Sequence, residues 1–482
     1  MLTNLNWLSE GERFPPLPEK RRLDMYRNNK ELFESEHAEI YREDLKRIER
    51  VINNFQDVIS YPVVLNFQKL MSLKVADLLF GEPPSISAKD VRKQLAIDTI
   101  MDNSKLLDQA YQAAIDASRY GDGLFYVHKK GDHGVIDLTQ PCIWYPIVSE
   151  DNIKDRTAEV LAWKVGEDRL KVSIHYQGRY EEREYQCENG NIGKLTKAPV
   201  DMQTGLTDFA VVQVSNTLTS DRVTGIDDYT DVDSIIADIM VRIGQIDRIL
   251  DKHANPSLSG PKSALEQDPV SHEYKLVLGS YFIRDNEASA DVKYLTWDGQ
   301  LAANFTQLEK LINLLYTISE MGSALFGDMT GSTGQVASGT ALKRLMVSPL
   351  AKVARLRAKM DTALKTAIVL CSQLGGKDIV KLDYADISIK WQDGLPADDT
   401  ETAAILTQRL AGKASMSQKR ALVVYDGLSE EEAEEELLTI QEEENLANPM
   451  SGIPTVGDNT GPDDEVPPPM EQVKPNGTMA GE

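Results

Sequence analysis

The chain has 482 residues, of which 41% are hydrophobic, so it can bury a sizeable core, and its length favours roughly two to four structural units. The formal net charge is −24, which argues against a protein that wraps nucleic acid, since such proteins carry a basic face. The charge still allows a protein that DNA must pass without adhering, because an acidic surface repels phosphate.

The three cysteines, Cys142, Cys187 and Cys371, lie far apart and form neither a CxxC motif nor a Cys/His cluster. We expect reduced, structural thiols. Residues 1–19 show no basic segment followed by an apolar stretch, and no run approaches the roughly 20 apolar residues of a membrane span. We therefore expect no signal peptide, no membrane segment and synthesis in a reducing cytoplasm.

The first 120 residues show mainly helical patterns. Residues 21–50 alternate charged and apolar side chains at helical spacing and predict a helical, mostly solvated arm. A second helix is predicted over 63–80, with Pro62 at its start and a stop signal at 81–84. Residues 87–119 predict one or two further helices.

Strand patterns follow. Residues 124–128 and 135–138 flank a turn at 130–134 and predict a hairpin. Further short strands are predicted over 160–185 and 211–214. These segments indicate an α+β domain with an antiparallel meander and no catalytic pattern.

The second half begins with an amphipathic helix over 231–250, which keeps one apolar face. It breaks at 253–256, and about forty residues of strand character follow. A second amphipathic helix is predicted over 304–326. Residues 327–339 are rich in Gly, Ser and Thr and predict a flexible loop.

A long basic helix is predicted over 340–374. It carries seven basic residues against one acid, Asp361, and Pro349 inside it predicts a kink. Lys343 and Arg344 lie nearest to the preceding loop and are therefore the first candidates for contact with DNA. The alternative is that the charges of this helix pair with acids of neighbouring subunits or face solvent.

The last part of the chain is strongly acidic. A short strand over 386–391 and two or three helices up to about residue 444 are predicted, whereas 446–482, rich in Pro, Gly, Asn and acids, is expected to be disordered. Residues 393–482 hold 20 acidic and 5 basic side chains, so this segment carries −15 of the net charge of −24.

The loop after the second amphipathic helix also has the glycine spacing of a P-loop, from Gly334 to Gly339. A P-loop needs a lysine directly after the second glycine to reach the phosphates. Thr340 holds that position, the first lysine is Lys343, and a helix rather than a strand precedes the loop. The acid pair at 227–228 is more typical of helix caps and turns than of a metal site. We expect no catalytic, cofactor or metal site.

Five short motifs, in this order, resemble those of the portal proteins of tailed bacteriophages. Residues 69–84 resemble the family's early helix with its Phe-Gly-x-Pro-Pro type turn, 253–256 the junction of stem and clip, and 338–343 the start of the helix after the tunnel loop. Residues 391–396 resemble a strand that ends in Asp-x-Leu-Pro, and 427–436 the acidic helix near the family's C-terminus. Each motif is weak alone, and their shared order and spacing carry the resemblance.

The resemblance implies an α+β portal fold with an α/β wing, a two-helix stem, a small α/β clip, a long kinked wing helix and a helical crown. The regions it implies are an N-terminal helical arm (1–60), the wing (61–225), the first stem helix (226–253), the clip (254–300), the second stem helix (301–326), the channel loop (327–338), the wing helix and strand (339–394), the crown helices (395–445) and a disordered acidic tail (446–482).

The resemblance also implies a ring, expected to be a dodecamer, that serves as head–tail connector at a capsid vertex for packaging and ejection of double-stranded DNA. Its partners would be the large terminase subunit, the head–tail adaptor, and the major capsid and scaffolding proteins; it would act in the virion after assembly in the bacterial cytoplasm. The residues implied for the channel loop are Met329, Thr330, Ser332, Thr333, Gln335 and Val336. The clip residues implied for docking of motor and adaptor are Lys262, Glu266, Tyr274, Lys275 and Arg284.

Other readings stay open at this point. The chain could be another virion structural protein, such as a capsid protein or a tail adaptor, or an NTPase. On pattern alone, the two amphipathic helices could be an ordinary hairpin in the core of a monomer, and the loop between helices could be a plain linker.

Overall fold

The protein is described from a computed structural model. The residues that the structure describes are 1–46, 50–52, 57–59, 63–254, 257–260, 281–283, 293–295, 301–327, 344–392, 399–410, 414–425, 428 and 430–447. The chain forms two compact units, Met1–Pro396 and Ala397–Glu482. The first unit contains both helices and sheets, which confirms the predicted α+β class.

The N-terminal segment packs against the rest of the first unit. Its elements are α1 (Lys20–Phe33), α2 (His37–Ile40), α3 (Arg42–Leu45) and the antiparallel strand pair β1 (Arg50–Ile52) and β2 (Asp57–Ile59). Leu32 on α1 is fully buried, and Trp7, Leu8 and Phe14 pack against a sheet described below. The prediction of a mostly solvated arm was wrong, because the apolar side chains that mark its helical spacing are covered by the core.

Three longer helices follow, α4 (Phe67–Phe80), α5 (Val91–Ser104) and α6 (Leu106–Tyr120), with the short strand β3 (Ser85–Ser87) between the first two. α4 begins later than predicted, because the Asn66 side chain caps it by accepting from the backbone N–H of Lys69 at 2.8 Å. The predicted stop after Phe80 is confirmed.

The predicted meander is confirmed as antiparallel sheets. Strands β4 (Asp122–Lys130) and β5 (His133–Thr139) form the predicted hairpin. The next six strands are β6 (Trp144–Val148), β7 (Arg156–Val165), β8 (Arg169–Tyr176), β9 (Arg179–Glu188), β10 (Asn191–Leu195) and β11 (Val200–Gln203). They form one sheet in the order β10-β9-β8-β7-β6, with β11 also paired to β9, whereas β12 (Val211–Ser215) pairs with β4 to complete a three-stranded sheet.

The second half of this unit is built on long helices. α7 (Asp233–Ala254) is followed by a small sheet in which β13 (Ser257–Gly260) pairs parallel with β14 (Tyr281–Ile283) and antiparallel with β15 (Lys293–Leu295). The strand predicted over 274–278 lies outside the described residues. α8 (Leu301–Ile318) ends earlier than the predicted residue 326, and a 3-10 turn (Ser323–Phe326) follows it.

The basic helix also differs from its prediction. A turn at Met346 separates a helical segment at 344–345 from α9 (Val347–Gln373), so Pro349 is the third residue of α9. Proline is tolerated in the first turn because the N–H it lacks would have no partner within the helix. The break that was predicted near Pro349 is therefore present as the turn at Met346, three residues before the proline. β16 (Ser388–Lys390) then pairs with β3.

The main core lies between α4, α6, α7 and α9. Its buried side chains include Met71, Val75, Ala113, Ala117, Ile236, Ile239, Met240, Met360, Leu364 and Ile368. A second cluster joins the N-terminal segment to the six-stranded sheet, through Trp7, Phe14, Tyr145, Val160 and Ile174. Burial of each Val, Leu, Ile, Phe or Met side chain in these clusters stabilises the fold by about 1.5–3 kcal/mol.

The second unit has the predicted helices, which are α10 (Asp399–Leu410), α11 (Gln418–Tyr425) and α12 (Glu430–Ala447). The Lys419 ammonium of α11 lies 2.7 Å from the Glu434 carboxylate of α12. The predicted tail falls almost wholly outside the described residues. Within the described ranges, every helix is too short or too polar to cross a bilayer.

Candidate functional site

Helices α7 and α8 pack against each other over an apolar interface. On α7, Ile239, Met240 and Ile246 are buried, and on α8 Leu315 is 2% exposed. The partly buried Leu308, Leu311 and Ile312 pack against the same core. The predicted pair of amphipathic helices is thus present, and it uses one face of α8.

A second apolar strip runs along α8. Leu314 and Ile318, one turn apart on this strip, are 45% and 42% exposed, whereas Phe305, 47% exposed, lies on the other side of α8. A helix that is apolar on more than one side is typically covered on more than one side. In the described part of the chain, the strip faces solvent.

The loop before α7 is fixed by two neighbouring carboxylates. Asp227 accepts from the backbone N–H groups of Tyr229 at 2.9 Å and Thr230 at 2.8 Å, and it thereby holds the turn that precedes α7. Asp228 instead lies 2.9 Å from the Lys352 ammonium of α9. Its carboxylate also accepts from the Ser118 hydroxyl at 2.6 Å and the Asn216 amide at 2.9 Å.

The first turn of α7 is held by a polar network from the N-terminal segment. One oxygen of Asp233 accepts from the Tyr41 hydroxyl at 2.9 Å and from the Gln68 amide at 3.0 Å. Gln68 also lies 3.1 Å from the buried His37 ring. Burial raises the pKa of Asp233 to about 6, although both hydrogen bonds lower it.

The end of α8 meets the start of α9. Lys352 donates to the backbone carbonyl of Ser319 at 3.1 Å, and Arg355 forms an ion pair with Glu320. Glu320 has a backbone φ of +60°, in the left-handed region that favours glycine. Cations suit this position because the carbonyl end of a helix is partially negative.

Most described charges of the basic helix are paired within the chain. Lys365 lies 3.0 Å from Asp361, one turn away, and the Arg357 guanidinium stacks over the Trp391 ring at 5.7 Å. Lys359 and Arg344 are exposed. The acids that pair with Lys352 and Arg355 belong to the same chain, whereas the sequence had left acids of neighbouring subunits as the alternative.

Of the predicted site residues, only Arg344 lies within the described ranges; it is exposed and lies three residues before the start of α9. Lys343 lies outside them, and so do the residues predicted for the channel loop, which are Met329, Thr330, Ser332, Thr333, Gln335 and Val336. The predicted clip residues Lys262, Glu266, Tyr274, Lys275 and Arg284 lie outside them as well.

Sequence reasoning missed four residues that meet where α8, α9 and the loop before α7 come together: Asp228, Glu320, Lys352 and Arg355. Their only signal was the density of basic residues on one helix of an acidic chain, together with the acid pair at 227–228. Neither signal identifies a partner more than a hundred residues away. Within the described ranges, no group of three or more His, Cys, Asp or Glu side chains could hold a metal ion.

Solved structures of gene transfer agent particles are similar to this chain in outline. The neck of the empty particle with C6 symmetry is 14% identical over 75% of this chain and 90% of that chain, with a TM-score of 0.47. The virion of the native particle is 13% identical over 75% and 88%, with a TM-score of 0.45, and the C12 neck is 12% identical over 74% and 89%, with 0.44.

Sequence comparison gives a firmer result. No curated protein sequence matches the chain. A family model described as "Phage portal protein, SPP1 Gp6-like" matches residues 18–450, which is most of the chain. The protein therefore belongs to the SPP1 Gp6-like family of phage portal proteins, structural components of the virion.

Proposed function

We propose that copies of this protein form a closed ring at a capsid vertex and that double-stranded DNA passes through its axial channel during packaging and ejection. In this proposal, the regions are those that the family resemblance implied. The stem is formed by 226–253 and 301–326, the clip by 254–300, the channel loop by 327–338, the wing by 61–225 and 339–394, and the crown by 395–445.

The observation that supports the proposed ring is the second apolar strip of α8. Leu314 and Ile318 lie one turn apart and are each almost half exposed. A helix pair of this length gains most of its stability from packing an apolar face, and in the single chain only one face of α8 is packed. A second copy that covered the strip would present its own strip to a third. Such head-to-tail contacts close into a ring when the rotation between copies allows it.

Charge supports passage of DNA rather than tight binding. The chain has a net charge of −24, and acids within the chain neutralise several cations of α9. Each phosphate held by a lysine or arginine adds affinity and would slow sliding. Arg344, which is exposed, and Lys343 are the cations that we propose for weak contact with passing DNA, beside the channel loop.

We further infer that the large terminase subunit and later the head–tail adaptor dock on the clip, through residues that include Lys262, Glu266, Tyr274, Lys275 and Arg284. Capsid and scaffolding proteins would contact the ring during assembly in the bacterial cytoplasm. Exchange of the five clip residues for alanine should lower terminase binding and leave the ring intact. Unchanged terminase binding would place the docking surface elsewhere.

We also propose that the protein has no catalytic activity of its own. The segment from Gly334 to Gly339 lacks the lysine of a P-loop, and the described elements before it are α8 and a 3-10 turn rather than a strand. Purified protein should release no phosphate from ATP. Release that disappears in Gly339→Val would support an NTPase instead.

The ring is tested by electron microscopy and mass measurement of the purified full chain. We expect rings with an axial channel, and we expect the double substitution Leu314→Gln, Ile318→Gln to give monomers with unchanged helix content by circular dichroism. A matched control is Leu195→Gln, Met202→Gln, since these side chains are also 45% exposed but lie on β10 and β11. A wild-type monomer under all conditions, or a ring without a channel, contradicts the proposal.

A further inference from the structure

The residues on both sides of positions 328–343 are held against each other. Gly322 follows α8 with φ +64°, and a Cβ atom at this position would lie 3.7 Å from the Leu345 carbonyl and 3.8 Å from the Pro349 ring. Met321 and Met346 are both buried here, at 1% and 4% exposure. The chain therefore leaves α8 and returns to α9 through one packed joint.

Two basic side chains of α9, one helical turn apart, contact the residues that directly follow α8. Lys352 donates to the Ser319 carbonyl at 3.1 Å while its ammonium pairs with Asp228 at 2.9 Å. Arg355 pairs with the Glu320 carboxylate. The loop before α7, the end of α8 and the start of α9 are thus linked through adjacent side chains of α9.

Stability gives no reason for a glutamate at position 320. The left-handed backbone is unfavourable for a non-glycine residue. The Glu320 and Arg355 side chains are 43% and 55% exposed, and exposed ion pairs contribute little to stability. Glycine would relieve the strain at about the cost of the pair, so the fold alone would be served equally well or better by glycine.

We propose that Glu320 and Arg355 are positioning residues, which together with Lys352 fix the direction in which the chain leaves α8 relative to the wing helix α9. This inference rests on the proposed DNA channel. A carboxylate on a strained residue directs the backbone that precedes positions 328–343, and Arg355 holds that carboxylate to a rigid helix. Loss of the pair leaves the fold intact but frees the exit angle of the segment that would line the channel.

The experiment uses the full chain, supplied as the sole portal subunit during assembly of its own phage particles. The variants are Glu320→Gly, Arg355→Gln and the exchanged pair Glu320→Arg, Arg355→Glu. The matched control is Glu34→Gln, which breaks the exposed Lys30–Glu34 ion pair of α1, whose side chains are 58% and 53% exposed. Three quantities are measured for each: the ring by electron microscopy, the Tm of the purified protein, and the number of DNA-filled particles.

For both single variants we expect intact rings, a Tm equal to that of the wild type or higher for Glu320→Gly, and roughly fivefold or more fewer DNA-filled particles, the range of a modest coupling energy. The exchanged pair should recover part of the packaging, and Glu34→Gln should package as the wild type does. Wild-type packaging by both single variants would overturn the inference and leave the proposed channel standing. A loss of packaging that follows a fall in Tm, or a loss of rings, would also overturn it, because the pair would then be structural. Wild-type rings that never package DNA would instead contradict the proposed function.

Discussion

The Lys352 ammonium lies 2.9 Å from the Asp228 carboxylate, and the two side chains are only 11% and 7% exposed. Ser118 and Asn216 donate further hydrogen bonds to the same carboxylate, and Lys352 also donates to the Ser319 carbonyl. The pair therefore has the additional hydrogen bonds that offset the cost of burying two charges. It joins α9 to the loop that begins α7.

Removal of one charge of the Lys352–Asp228 pair should destabilise the protein more than would be expected from the effect of removing both charges. We expect Lys352→Met to lower the free energy of unfolding by about 3–5 kcal/mol, because it leaves Asp228 buried and uncompensated. The double variant Lys352→Met, Asp228→Asn should lose clearly less than the sum of the two single losses. Urea unfolding of the four proteins gives the cycle, and Lys419→Met, in the exposed pair with Glu434, should lose less than about 1 kcal/mol. Additive losses would mean that the two side chains do not interact.

The end of α6 and the loop before α7 lie in close backbone contact at Gly121 and Gly225. A Cβ atom on Gly225 would lie 1.9 Å from the Gly121 carbonyl oxygen, whereas nothing lies within 4 Å of a Cβ atom on Gly131, whose φ is +68°. We expect Gly225→Ala to destabilise the protein by about 3 kcal/mol or more, since a backbone atom must move. Gly131→Ala should cost about 1 kcal/mol through its backbone conformation alone. Equal Tm losses for the two variants would contradict the close approach.

Elements whose signal is local were predictable, and elements set by distant partners were not. The helical spacing of α7 and the turn between β4 and β5 lie within a few neighbouring residues, so the sequence predicts both. The spacing of α1 was equally visible, but the surface that buries Leu32 comes from other segments. The basic helix was predicted as a helix with a kink at Pro349, yet its charge could not reveal that Asp228, 124 positions earlier, would pair with Lys352. The portal assignment was predictable because the motifs at the joints keep their order, and the family match confirms it.

A buried histidine joins two sheets. His175 on β8 is 2% exposed; its ring meets Tyr126 of β4 edge-on at 5.3 Å and stacks with Tyr180 of β9 at 5.9 Å. Burial lowers the pKa of His175 to about 4, from an ordinary value of 6.5. As the pH falls from about 6.5 to 4, His175 becomes protonated in the unfolded chain but stays neutral in the folded chain. The protein therefore loses stability over this pH range.

His175→Phe should remove this part of the pH dependence. The phenylalanine ring can occupy the space between the two tyrosines without titrating, at the cost of the hydrogen bond with Ser173. The difference between the free energies of unfolding of wild type and variant should change by up to about 3 kcal/mol between pH 7 and pH 4. Leu95→Phe is the control, because this position on α5 is 52% exposed and the substitution removes no titratable group, so it should leave the slope unchanged. Parallel pH profiles for wild type and His175→Phe would show that His175 is not held neutral.

The carboxyl group of Asp233 gives the opposite pH dependence, because burial disfavours a form that is charged at neutral pH. Burial raises its pKa to about 6 from 3.8, so at pH 8 the folded protein holds an ionised group that burial disfavours. Stability due to this group is lost as the pH rises through about 6 and is regained as the pH falls toward 3.8. The first turn of α7 favours a negative charge by about 0.3–2 kcal/mol, and the direction of the pKa shift indicates that the effect of burial is larger.

Asp233→Asn should therefore stabilise the protein at pH 8. The asparagine oxygen can still accept from the Tyr41 hydroxyl and the Gln68 amide, since both bonds go to one oxygen of Asp233. We expect a gain of about 1 kcal/mol in the free energy of unfolding at pH 8, which shrinks below pH 6 as the wild-type carboxyl takes up its proton. Asp231→Asn, at an exposed position two residues earlier, should leave the free energy of unfolding unchanged both at pH 8 and below pH 6. Asp233→Ala should destabilise at every pH, because Tyr41 and Gln68 then lose their acceptor. A variant Asp233→Asn that is less stable than the wild type at pH 8 would mean that the charge itself holds α7 to the N-terminal segment.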